Sequence, residues 1–138
     1  MINFFNEDID FPKIDTDNYT KWIERVINIY KYKTGDINYI FCSDNYILNI
    51  NIEYLNHNYF TDIITFNYNL NDIINADIFI SLDTVNENSK YYHTSFQSEL
   101  SRVIIHGILH LIGFDDQDEQ QQELMTIKEN EALSLLSL

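Results

Sequence analysis

Two of the four histidines, His106 and His110, lie four residues apart in a stretch whose apolar residues recur at helical period. At that spacing both imidazoles project from one helix face and can hold a single metal ion. Gly113 stands where the apolar periodicity stops, a place suited to the left-handed turn that ends a helix. The chain can then turn so that Asp116 folds back towards the two histidines. Two imidazoles and a carboxylate, with a fourth position open, are the pattern of a catalytic zinc site rather than a closed structural one. The plainer reading is a core helix with hydrogen-bonded histidines, followed by a solvated acidic turn, because an i,i+4 histidine pair alone is a common coincidence.

The same spacing fits the H-E-x-x-H-x-x-G-x-x-H metalloproteases, which place a Glu directly after the first His as general base. Here that residue is Gly107, which cannot take a proton. The metal geometry survives and that peptidase mechanism does not. No other general base declares itself. Asp115 and Asp118 read equally as a turn residue and a helix cap, His57 as a cleft-lining or a solvated loop histidine. Thr61 and Asp62 could tie a loop by local hydrogen bonds or merely start a strand. Glu99 and Arg102, one helical turn apart, are explained by a surface pair. His93 has no visible partner, and Cys42 reads as a small buried apolar residue.

Positioning these groups requires a scaffold. Residues 2–5 predict a strand, and Thr16 or Asp17 could cap a helix running to about Lys33, ended by Gly35-Asp36. Residues 37–41 alternate as a strand, and Ser43 caps a helix to about Leu55. Residues 62–68 and 76–82 are β-rich runs separated by an Asn/Asp-rich turn. A polar helix over 84–92, a long amphipathic one over 96–112 and a last one over 118–136 complete the chain. The order β-α-β-α-β-β-α-α-α predicts a single α+β domain, a small mixed sheet packed with helices. The metal site then sits on the long helix and the turn after it.

The 138 residues carry 8 Lys+Arg against 22 Asp+Glu, a net charge of −14, with 45% apolar residues to fill a core. One cysteine excludes a disulfide framework, and one proline with three glycines excludes collagen-like or linker compositions. The acidic start and the absence of a long apolar run predict a cytoplasmic protein with no membrane segment. Such acidity argues against broad nucleic-acid affinity. Lys13, Lys21, Arg25, Lys31 and Lys33 nevertheless fall in the first quarter of the chain. Lys21 and Arg25 share a helix face that could track phosphates or simply be solvated.

The segment from Glu99 through His106-Gly107-Ile108-Leu109-His110-Leu111-Ile112-Gly113-Phe114-Asp115-Asp116 resembles the H-G-x-L-H-L-x-G-x-D-H signature of the YbeY-type endoribonucleases, ribosomal-RNA maturation factors of bacteria. Leu55-Asn56 with Thr61-Asp62-Ile63-Ile64-Thr65-Phe66 resembles that family's L-N … T-D-V-L-S-F, and Ala76-Asp77-Ile78-Phe79-Ile80 its G-D-I-x-I strand. The resemblance spans about residues 36–130. It implies a zinc-dependent, single-strand-specific endoribonuclease that matures the 3′ end of small-subunit ribosomal RNA and acts in ribosome quality control. The metal would sit on His106, His110 and Asp116. Asp116 replaces the family's third histidine, and a carboxylate moves preference towards Mn or Fe. Where the family usually has an arginine after the tyrosine between those two blocks, Tyr59 is followed by Phe60.

The implied partners are ribosomal RNA in the small ribosomal subunit and a basic ribosomal protein, with neither DNA nor a membrane. A bound metal supplies local positive charge that the Lys/Arg count omits. Two other readings remain open: another metal-dependent hydrolase using the same site, and a ribosome-assembly binding protein whose metal is structural.

Overall fold

A computed structural model describes residues 1–57 and 61–137. Phe60, at the position of the expected arginine, lies outside the described residues. Four strands form one mixed sheet: β1 (Ile2–Asn6), β2 (Lys33–Cys42), β3 (Ile63–Asn67) and β4 (Ile73–Ser81). Five helices accompany them: α1 (Thr16–Ile29), α2 (Asp44–Leu55), α3 (Leu82–Tyr91), α4 (Phe96–Ile112) and α5 (Glu119–Leu133). The element order expected from sequence is the one observed, and the fold is the expected α+β. The strands run β1-β2-β4-β3, with β1, β2 and β4 parallel and β3 antiparallel to β4.

Strand alternation sorts the sheet's two faces. Ile37, Tyr39 and Phe41 of β2 and Ile74, Ala76, Ile78 and Ile80 of β4 are buried in the main core. They pack with Trp22, Ile23, Val26 and Ile27 of α1 and with Leu100, Ile104, Ile105 and Ile108 of α4. Two buried groups tie the helices down. The Tyr39 hydroxyl donates to the Ile104 carbonyl at 3.0 Å, and Trp22 Nε1 donates to the Ala132 carbonyl at 2.8 Å. On the other face, the Asn3, Asn38 and Asp77 side chains link β1, β2 and β4 by amide donation at 3.2 and 3.0 Å.

The opposite face carries a smaller cluster of Cys42, Ile47 and Ile64, flanked by Tyr46, Ile50, Phe66 and Phe79. Cys42 is the buried small residue its position suggests. Burial, reinforced by Asp8 and Asp44, pushes its thiol up to about 12, so it stays protonated and unreactive.

Each helix begins on a side-chain cap. Asp15, Ser43, Ser81, Ser95 and Asp118 accept the backbone N–H of Asn18, Tyr46, Thr84, Ser98 and Gln121. Several boundaries differ from expectation, β2 starting at Lys33 and α5 ending at Leu133 among them. The cap of α1 is Asp15, and the helix ends at Ile29 because Lys31 takes a left-handed φ of 64°. Gly35 therefore does not end α1. It lies inside β2, where a Cβ would come within 2.3 Å of Asn75 Oδ1 and 2.8 Å of the Ile74 carbonyl oxygen. The Asn/Asp-rich turn is also shorter than expected, because β4 starts at Ile73 through a bridge to Leu70.

Gly35→Ala should lower stability by roughly 1–3 kcal/mol, since backbone as well as side-chain atoms occupy the space the methyl needs. A urea midpoint that falls at unchanged slope is the expected result.

Candidate metal centre and cleft

The site is built where α4 crosses the sheet edge. Gly107 makes that crossing close: a Cβ there would meet Ile63 Cδ1 at 3.0 Å and Ile78 Cδ1 at 3.5 Å. The residue after His106 thus faces the sheet, and a metalloprotease-type glutamate at 107 would be driven into apolar side chains. His106 and His110 project from another face of α4 into a cleft of about 460 Å³, lined also by Asp62, Thr65, Asn67 and Asp116.

The turn that returns Asp116 is fixed at each step. Gly113 takes φ 122°, a conformation open to glycine, and donates to the carbonyls of Leu109 and His110. Phe114 packs edge-on against Tyr30 at 5.5 Å. Asp115 Oδ1 accepts the Asp116 N–H at 3.1 Å, and Gln122 Nε2 donates to the Asp116 carbonyl at 3.1 Å. Asp115 is therefore a turn residue and Asp118 a helix cap, not cleft groups.

The outcome is convergence. His106 Nε2 and His110 Nε2 each lie 3.4 Å from Asp116 Oδ2, and the three donor atoms fall within 4.8 Å of one another. Two ligands at ordinary zinc bond lengths on a tetrahedral centre stand about 3.3–3.4 Å apart, so the group could hold one ion.

Behind His106 stands a residue the sequence reading did not find. Glu129 of α5 is buried, and its Oε2 lies 2.6 Å from His106 Nδ1. A carboxylate there accepts a hydrogen bond from Nδ1–H, which leaves the Nε2 lone pair facing the cleft. Arg102 Nη1 donates to Glu129 Oε1 at 2.8 Å, and Arg102 Nη2 to Asn130 Oδ1 at 2.8 Å. The expected Glu99–Arg102 surface pair is thus replaced by an interhelical one, because Glu129 offers Arg102 a partly buried bridge. A signal for Glu129 existed: it interrupts the buried stripe Met125, Glu129, Ala132 at helical spacing.

Burial alone would depress the His106 pKa, but the Glu129 hydrogen bond and the charges of Glu129, Asp116 and Asp62 outweigh it and raise it. Burial raises Asp62, opposed by His106 and reinforced by Glu129 and Asp116. Burial likewise raises Glu99, with Arg102 opposing. Asp62 is a cleft residue as well as a strand-start one, and Thr61 Oγ1 donates to the Ile63 carbonyl at 3.3 Å.

The other candidates lie elsewhere. His57 is exposed after α2 and does not line the cleft, and His93 is exposed in a left-handed turn after α3. Lys21, Arg25 and Lys33 line a separate groove of about 610 Å³ with Glu24 and Tyr32. No helix among the described residues is long and apolar enough to cross a membrane.

Fold and site together define a class: a small α+β enzyme scaffold carrying an oriented His-His-Asp group in an open cleft. The chain belongs to the endoribonuclease YbeY family, whose model matches residues 3–137. It is 50% identical over 135 residues to endoribonuclease YbeY of Parabacteroides distasonis, covering 98% of this chain and 95% of that one. It is 48% identical over 138 residues to that of Phocaeicola vulgatus, covering all of both. A Thermotoga maritima protein of known solution structure shares the fold at TM-score 0.70 and 26% identity, over 99% of this chain and 89% of the other.

The raised Glu99 pKa makes a pH prediction. The folded carboxyl holds its proton more tightly than the unfolded one, so its ionisation removes stability as pH rises from the ordinary glutamate range through the folded value. Glu99→Gln should therefore raise Tm at about pH 7.5, with the gain shrinking towards pH 5. A lower Tm at the higher pH would contradict this.

Proposed function

We propose that this protein is a metal-dependent endoribonuclease that cuts single-stranded RNA. Its role on this reading is 3′-end maturation of small-subunit ribosomal RNA and ribosome quality control in the cytoplasm. The observation that carries the reading is the convergence of His106, His110 and Asp116 with Glu129 fixing the His106 tautomer.

A metal ion held there, zinc or with this carboxylate Mn or Fe, acidifies water and polarises phosphate oxygens when bound. The chain's own residues do the rest. Glu129 keeps the His106 ring in one orientation, and Arg102 holds Glu129 in place. Asp62 is a cleft carboxylate outside the ligand set, and on this reading it receives the proton of the attacking water. Thr65 and Asn67 of β3 border the space left for the ribose-phosphate chain. Binding to free RNA is weak because few cations face the cleft, and the ribosomal context or a basic ribosomal protein supplies the missing charge.

Metal analysis should find about one equivalent in the wild type and none in His110→Ala, and chelator competition should give Glu129→Gln a metal affinity about 10–100-fold lower. Retained metal in His110→Ala sinks the ligand assignment.

On precursor small-subunit RNA, Asp62→Asn should keep its metal and cleave about 10²–10⁴-fold more slowly. Equal cleavage by wild type and His106→Ala would point to a contaminating nuclease. Metal binding without RNA cleavage would favour the assembly-factor reading, and cleavage of casein alone a peptidase.

A further inference from the structure

A second cavity, of about 570 Å³, adjoins the metal cleft and is not used by the reading above. Asp62 lines both, and Glu129, bonded to His106 on one side, lines the second on the other. Asn88, Tyr92, Ser98, Glu99 and Arg102 complete most of its wall.

Its unusual member is Glu99. This residue is only 7% exposed, yet its carboxylate accepts no hydrogen bond and makes no ion pair among the described residues. The adjacent cation acts on it through charge but donates no hydrogen bond to it, because Arg102 commits one Nη to Glu129 and the other to Asn130. No fully buried side-chain oxygen among the described residues lacks a partner, so the Glu99 oxygens are reached from the cavity, and donors to them must come from that side. Tyr92, just after α3, is 64% exposed, packs edge-on against Tyr91 at 5.0 Å and lines the same cavity.

The chemistry missing from this cavity is a planar group bearing two adjacent N–H donors. Among nucleobases only guanine has it: N1–H and the N2 amino group lie side by side and match two carboxylate oxygens. Adenine and cytosine set a single amino group beside a ring nitrogen acceptor, which a carboxylate repels. Uracil flanks one N–H with two carbonyls. An aromatic side chain beside such an acceptor is how single-stranded RNA bases are commonly held, by stacking plus Watson–Crick-edge bonds.

We infer that the Glu99–Tyr92 cavity is a guanine subsite that seats the base next to the phosphodiester in the metal cleft. The inference rests on the RNA reading above and gives it a sequence preference. Asn88 and Ser98 stand at the rim for the base's remaining polar atoms, and the shared Asp62 wall keeps base and scissile phosphate within neighbouring nucleotides.

The test uses the full-length chain with its metal and the four 5′-mononucleotides, whose equal charge leaves the base as the variable. GMP should bind at least tenfold more tightly than AMP, CMP and UMP. Glu99→Gln, which offers one acceptor and one donor, should bring GMP to the level of AMP. Tyr92→Ala, an exposed site with little bearing on folding, should weaken all four together. Equal affinities in the wild type, or a guanine preference intact in Glu99→Gln, would overturn the subsite. In a second arm, a uridine oligonucleotide with one guanosine should be cut beside that guanosine by the wild type, and uniform cutting would also overturn it. GMP preference with no RNA cleavage would support the subsite while removing the endoribonuclease reading.

Discussion

The arrangement turns on one buried carboxylate. Glu129 carries a negative charge between α4 and α5, and such a charge is tolerated only when it is fully engaged. Arg102 takes one oxygen and His106 the other, so both partners on α4 are needed for Glu129 to stay inside. In return, α5 is held in a fixed rotation against α4, and the His106 ring cannot flip without leaving a donor and an acceptor mismatched. Removing either partner would leave an uncompensated charge in the interior, a larger penalty than the pair contributes when intact. Helix packing and ring orientation are therefore one property.

That pairing acts on a helix already pressed against the sheet. Gly107 lets α4 approach Ile63 and Ile78, and Tyr39 reaches from β2 to the Ile104 carbonyl. Six residues after Gly107, Gly113 reverses the chain so that Asp116 meets the imidazoles. The two glycines act through different physics. At 107 the requirement is space, and at 113 it is a backbone angle that other residues rarely adopt.

Much of this was legible in the residue order. Caps at Ser43 and Asp118, the alternation in β2 and β4, and the His106–His110–Gly113–Asp116 spacing all act locally, over a few residues. Misreadings occurred where distant chain decides. Gly35 looks like a helix terminator until its neighbours in β4 are known. Arg102 has an acidic residue one turn before it in Glu99, and only the docking of α5 supplies its actual partner. Asp62 gave a strand-start signal because its approach to His106 depends on where β3 sits at the edge of the sheet.

The unequal faces of that sheet have a thermodynamic consequence. On one side the large core of α1, α4 and the strands buries most of the apolar surface, and the histidines belong to a helix embedded in it. On the other, α2 rests on a cluster with only three fully enclosed members, Cys42, Ile47 and Ile64. Opening of α2 forfeits far less contact than global unfolding, so amide exchange there should proceed by a low-energy sub-global route while α4 stays protected. The molecule is built as a rigid half that carries the chemistry and a pliant half that can breathe without disturbing it.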